Sequence, residues 1–265
     1  MEGNTHYHIR KLQPVPTKTP DVQSLRHWGS QLKGQWWRAF ERKYKNLLSL
    51  VNVEVQPAAL SALTQYYDLP LRCFTFKGFQ LAPTLEEYKR LLGMPLERGV
   101  EAEEKPKWSG RDPGGSSGGE SPTALGRRGL ADLLLFPQIK HYVDFAAIDA
   151  FLGKRDRGEH PVVAILANTY CTLDFCSTKK GKGLKCYTSL LFLWLIAHLF
   201  HSSKKTRCLI KDHHWSCIRP LTKVEWTSRL DEATEKSICW YPQWNEREDV
   251  IIQSRGFPNI PLMST

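Results

Sequence analysis

Between residues 71 and 96 the spacing of apolar positions changes period once. Phe74 and Phe76 lie two apart, the spacing that puts side chains on one face of a strand. Past Pro83, which biases its preceding neighbour away from helical angles, the period lengthens. Leu85, Tyr88, Leu91 and Leu92 keep helical spacing and predict one buried stripe. Both ends of that helix are marked. Thr84 and Glu87 have the spacing of a capping box, Gly93 is placed to end the helix in a left-handed turn, and Pro95 forbids its resumption.

Elsewhere the helical period dominates. Trp28, Leu32, Trp36, Phe40, Tyr44, Leu47 and Leu48 step by three or four, with Gly29 and Gly34 as points of division. A second helix is predicted over residues 57–67, with Leu60, Leu63 and Tyr67 buried and Pro57 in its first turn. Residues 139–152 are apolar nearly all round and predict a buried helix ended by Gly153. Residues 162–173 read the same way, although their β-branched start leaves a strand open. The run over 187–201 is interrupted by Ser189 and His198. It is shorter than the roughly 20 residues a bilayer demands, and reads as a core helix. Thr222 and Glu225 repeat the capping box, with Leu221 and Trp226 spaced as a hydrophobic staple. The fold class is therefore mainly α, with a small β-strand element near residues 71–80.

Composition sets the boundaries. Residues 1–22, with Pro14, Pro16 and Pro20, form a flexible arm; 23–97 make the N-terminal helical part. Residues 98–128 include a Gly/Ser/Pro stretch over 113–122 with almost nothing to bury, which predicts a disordered linker. Residues 129–265 make the C-terminal helical part of the same domain. An apolar content of 41% and nine Trp argue for a folded chain rather than a disordered one. Seven Cys, odd in number and irregular in spacing, with no secretory leader over residues 1–6, argue against a disulfide framework and for a reducing compartment.

The net charge of +10 is concentrated. Residues 1–50 hold 9 Lys/Arg against 3 Asp/Glu, and residues 178–230 hold 11 against 2. Clustered cations point to an acidic partner, most simply nucleic acid. The candidate contacts are Lys179, Lys180, Lys182 and Lys185 before the 187–201 helix, and Lys204, Lys205 and Arg207 after it. A helix of that length, about 22 Å at ~1.5 Å per residue, would set the two groups at its opposite ends. A plain solvated surface is the competing reading.

Catalytic and metal signals are weaker. Cys208, His213, His214 and Cys217 are the best metal candidates, but their order matches no zinc pattern. Cys217 beside His213 lacks a visible third group to orient a base. The segment from Lys180 to Lys185 lacks the spacing of a phosphate-cradling loop. Asp144 and Asp149 lie five apart and share a helix face poorly. Neither a cofactor nor enzymatic activity is expected.

Residues 73–76, 84–87 and 91–95 resemble the plant mobile domain, a transposon-associated plant family formerly labelled aminotransferase-like. They resemble more closely a legume-expanded domain of unknown function related to it. The likeness extends to residues 40–50, to Leu135 through Gln138, to Asp212 through Cys217 and to Trp240 through Glu246, about four fifths of the chain. It implies a nuclear, non-enzymatic protein that acts in silencing through interactions. The expected compartment is the nucleus or the cytoplasm, the expected partners are nuclear proteins or nucleic acid, and Trp215, Trp226, Trp240 and Trp244 would anchor the C-terminal core. It carries no catalytic residues and no pyridoxal lysine. Relatives carry a longer helical region where this chain has 98–128, and continue past Thr265, so a partial or degraded copy is the alternative.

Overall fold

The structure, a computed structural model, describes residues 38, 41–42, 45–94, 145–157, 160–178, 183–184, 186–199 and 219–240, and the strands 205–207, 214–216, 251–254 and 257–262. The N-terminal arm, the linker and most of the 25–48 pattern lie outside these residues. Helical backbone appears at Arg38, Glu41 and Arg42. It does not run through to Leu48 as the periodicity predicted, because Lys45 adopts a φ of 50° and Asn46 turns the chain before helix α1, Leu47–Val51.

Helix α2, Pro57–Leu63, begins as expected with Pro57 in its first turn. It stops short of Tyr67. Residues Thr64–Tyr66 tighten into a 3-10 turn, and Tyr67 leaves to start strand β1, Tyr67–Asp68. The predicted β element is a three-stranded antiparallel sheet of β1, β2 (Cys73–Phe76) and β3 (Phe79–Leu81). Its register pairs Tyr67 with Phe74, Phe74 with Leu81 and Phe76 with Phe79. The link between β2 and β3 is only Lys77 and Gly78, and Gly78 takes a φ of 97° that suits glycine. All four residues of β2 are buried, so both faces of the sheet are covered. Phe76 stacks on Tyr66 at 5.1 Å and on Phe79 at 4.8 Å.

Helix α3, Leu85–Leu91, carries the predicted signals intact. Its capping box closes at Thr84 and Glu87. At its end Gly93 donates to Arg90 O at 2.9 Å and Met94 to Lys89 O at 2.7 Å, with Gly93 at φ 70°. Those paired bonds form a Schellman motif, which gives the last carbonyls of the helix their donors. Asn46 completes the job from the turn before α1, its backbone N–H donating to Leu92 O and its Nδ2 to Leu91 O. One expectation fails here. Burial is not limited to the apolar stripe, because Glu86, Glu87 and Lys89 are buried as well.

Helix α4 spans Phe145–Asp156. The predicted stop at Gly153 is overrun, since a helical glycine costs only about 1 kcal/mol relative to Ala and Lys154 to Asp156 carry the helix onward. Nor is α4 buried all round: Phe151 is buried while Asp149 and Ala150 are exposed. Helix α5, Val162–Thr178, settles the open choice for its segment, and helix α6, Thr188–Leu199, is buried along nearly its whole length. Helix α7, Lys223–Glu232, follows the second capping box, with Leu221 and Trp226 both buried.

The two halves share one core. Helix α7 packs on α2, α5 on α3 and α4, and α6 on α1, α2 and α3. Trp194 of α6 lies 5.6 Å from Phe74 of the sheet, and Phe192 lies 6.4 Å from Trp226 of α7. Trp240 joins at the margin, 6.0 Å edge-on to Phe79. The side chain of Trp215 and all of Trp244, the other expected anchors, lie outside the described residues.

The C-terminal half also holds β structure where none was predicted. Strands β4 (Lys205–Arg207) and β5 (His214–Ser216) form one antiparallel hairpin, and β6 (Ile251–Ser254) and β7 (Phe257–Leu262) form another. Strands β4 and β5, three residues each, leave too few alternations for a period to be read.

Candidate functional site

Among the described residues, a dense polar constellation is centred on Glu87, the capping glutamate of α3. Its Oε2 accepts from Thr84 N at 2.8 Å and from Thr84 Oγ1 at 2.9 Å. The same oxygen accepts from Trp194 Nε1 at 3.1 Å. Its Oε1 faces His198 Nε2 at 2.8 Å. The imidazole turns its Nδ1 to Cys239 O, also at 2.8 Å, and Cys239 N donates back to His198 O.

A carbonyl oxygen can only accept, so Nδ1 carries a proton. The contact with Glu87 then needs a further proton, held either on Nε2 or on the carboxyl. Glu87 and His198 therefore form a net-neutral pair, both side chains 2% exposed. A buried carboxylate is tolerated only when its lone pairs are met, and here they are. Both ring nitrogens and both carboxylate oxygens are engaged within the fold. The cluster clamps α3, α6 and the segment around Cys239 together.

In the sequence His198 stands out only as an interruption of an apolar run. The available signal was its place four residues after Trp194 on an otherwise greasy helix. A polar ring there must find an internal partner, but nothing in sequence named Glu87 as that partner.

Two further polar links tie the halves together. Tyr67 Oη donates to Asp174 Oδ1 at 2.6 Å, and Arg72 Nε lies 3.4 Å from Asp174 Oδ2. Tyr66 Oη donates to Asp231 Oδ1 at 2.7 Å. Burial first, then the acceptor carboxylate, raises both phenols well above their ordinary range, so neither ionises near neutrality. The thiol of Cys186 is pushed up to about 12, chiefly by burial, which makes it a packing residue rather than a nucleophile. Cys73, Cys171, Cys176, Cys186 and Cys239 are all free thiols.

Of the seven predicted basic contacts, the structure places two on a described element. Lys205 pairs with Ser216 and Arg207 with His214 across the β4–β5 hairpin. Lys179, Lys180, Lys182, Lys185 and Lys204 lie outside the described residues. Of the metal candidates, His214 lies on β5, while Cys208, His213 and Cys217 fall outside. Among the described residues no group of three or more His, Cys, Asp or Glu is disposed to hold a metal ion. Among those same residues, no helix is long and apolar enough to cross a membrane.

No curated protein matches the chain. No solved structure matches it either. A family profile described as "Domain of unknown function (DUF7745)" matches residues 25–107 and 130–265, passing over 108–129. With most of its length so matched, the chain belongs to the DUF7745 family of domains of unknown function.

Proposed function

We propose that this chain is a non-enzymatic interaction domain, related to the transposon-associated plant mobile domain, that acts in nuclear gene or transposon silencing through its partners. The observation that supports its non-enzymatic part is the internal engagement of the Glu87–His198 cluster. Both carboxylate oxygens of Glu87 and both ring nitrogens of His198 are engaged in holding α3, α6 and Cys239 together. The likeness at residues 73–76, 84–87 and 91–95 supports the family relationship. Tethering the chain to a reporter promoter in plant nuclei tests the role. Reporter transcript should fall, and an unchanged transcript level counts against silencing.

A second reading, nucleic-acid binding, is favoured by the excess of 11 Lys/Arg over 2 Asp/Glu in residues 178–230. Phosphate contacts release counterions, so binding should weaken steeply with salt. A titration of labelled DNA or RNA that shows no salt-sensitive binding removes this reading.

A further inference from the structure

The register of the β4–β5 hairpin pairs Lys205 with Ser216, Thr206 with Trp215 and Arg207 with His214. Alternation along a strand places residues two apart on one face, and directly paired residues share that face. Lys205, Arg207, His214 and Ser216 therefore occupy one face of the ribbon; Thr206 and Trp215 occupy the other. Arg207 and His214 are seven positions apart in sequence, and the antiparallel pairing of the two strands makes them neighbours. Lys205 and Arg207 are separated by about 7 Å, two residues at ~3.4 Å each, and the opposite strand lies about 5 Å away.

No Asp or Glu stands at any of the six paired positions. The hairpin thus forgoes the opposite-charge pairing across strands that stabilises such ribbons, and gathers three basic positions on one face. Strand β5 lies against α6, so the ribbon is attached to the buried core.

We infer that this face of the β4–β5 hairpin grips the phosphodiester backbone of a nucleic acid through Lys205, Arg207 and His214. The inference rests on the nucleic-acid reading above and names the element responsible. Duplex DNA presents one charge per about 1.7 Å of axis, so a basic row about 7 Å long spans roughly four phosphate charges. A two-stranded ribbon also matches the width of a major groove.

The test is fluorescence anisotropy of the full chain with a short labelled DNA duplex and, separately, a labelled single-stranded RNA, over rising salt. Lys205→Glu/Arg207→Glu should weaken binding at least about tenfold at low salt and reduce the log–log salt slope by about two. Lys223→Glu/Lys236→Glu, at exposed positions, changes net charge equally and should alter affinity far less. The nucleic acid on which the hairpin reversal acts identifies the strand type. Equal losses from both double variants would overturn the hairpin while leaving nucleic-acid binding standing. A wild-type chain with no salt-sensitive binding removes both. Displacement by polyglutamate as readily as by unlabelled nucleic acid points to an acidic protein surface and overturns the inference. Circular dichroism checks folding; if the reversal unfolds the chain, Lys205→Gln/Arg207→Gln replaces it, with the same fall in slope expected.

Discussion

Glu87 and His198 are 111 residues apart in sequence and meet at 2.8 Å in the core. A capping glutamate normally serves only its own helix. Here one oxygen of the carboxylate closes the capping box and receives Trp194 Nε1, while the other holds the imidazole. Helix initiation and long-range packing thus depend on one side chain.

Removing either partner should be costly, and removing both should cost less than the sum. Glu87→Ala or His198→Ala leaves a buried polar group without its partner, a loss of about 3–5 kcal/mol. Urea denaturation of the two singles and the double measures the coupling. Strict additivity would show that the contact carries no energy of its own.

Gly93→Ala should destabilise by about 1–3 kcal/mol, the usual cost of a left-handed non-glycine residue. The added Cβ would also come within 2.9 Å of Asn46 Nδ2. Gly78→Ala meets nothing within 4 Å and pays for backbone strain alone. Thermal unfolding should rank Gly93→Ala as the worse of the two; the reverse order would remove the Asn46 contact from the explanation.

Gln56 joins the segment before α2 to the start of α7. Its Oε1 accepts from Leu221 N at 3.0 Å and from Trp226 Nε1 at 2.9 Å. Gln56→Ala strands both donors, a loss of about 1–3 kcal/mol. Gln56→Glu keeps an acceptor oxygen for them and should be milder in chemical denaturation. A Gln56→Ala protein as stable as wild type would show that water replaces the side chain.

Acid should loosen the start of α7 late. Hydrogen bonds from Thr222 N and Oγ1, then Arg219, hold the Glu225 carboxyl down to about 2. A folded value below the unfolded one means the contribution is complete above the ordinary carboxylate range. It fades as pH falls from about 4.5 toward 2. An NMR titration of the Glu225 carboxyl carbon should show that low midpoint. Thr222→Ala, which removes the hydroxyl but keeps the backbone donor, should raise it only in part.

What could be read from sequence was whatever a few neighbouring residues settle among themselves. Thr84 with Glu87, Thr222 with Glu225, and Gly93 after Leu92 each satisfy backbone groups within one turn, so their spacing suffices to announce them. The same locality makes α3 and α7 recognisable, while α6 shows itself by its apolar run. Packing decided the rest. Tyr67 leaves its helix because a strand partner, Phe74, is waiting; Gly153 stays helical because the residues after it favour the helix more than glycine opposes it. His198 finds its purpose only when α6 is laid against α3, and Arg207 becomes the neighbour of His214 only when the chain doubles back. A buried polar atom must be matched by whatever the folded chain brings to it, and distance along the chain does not reveal which atom that is.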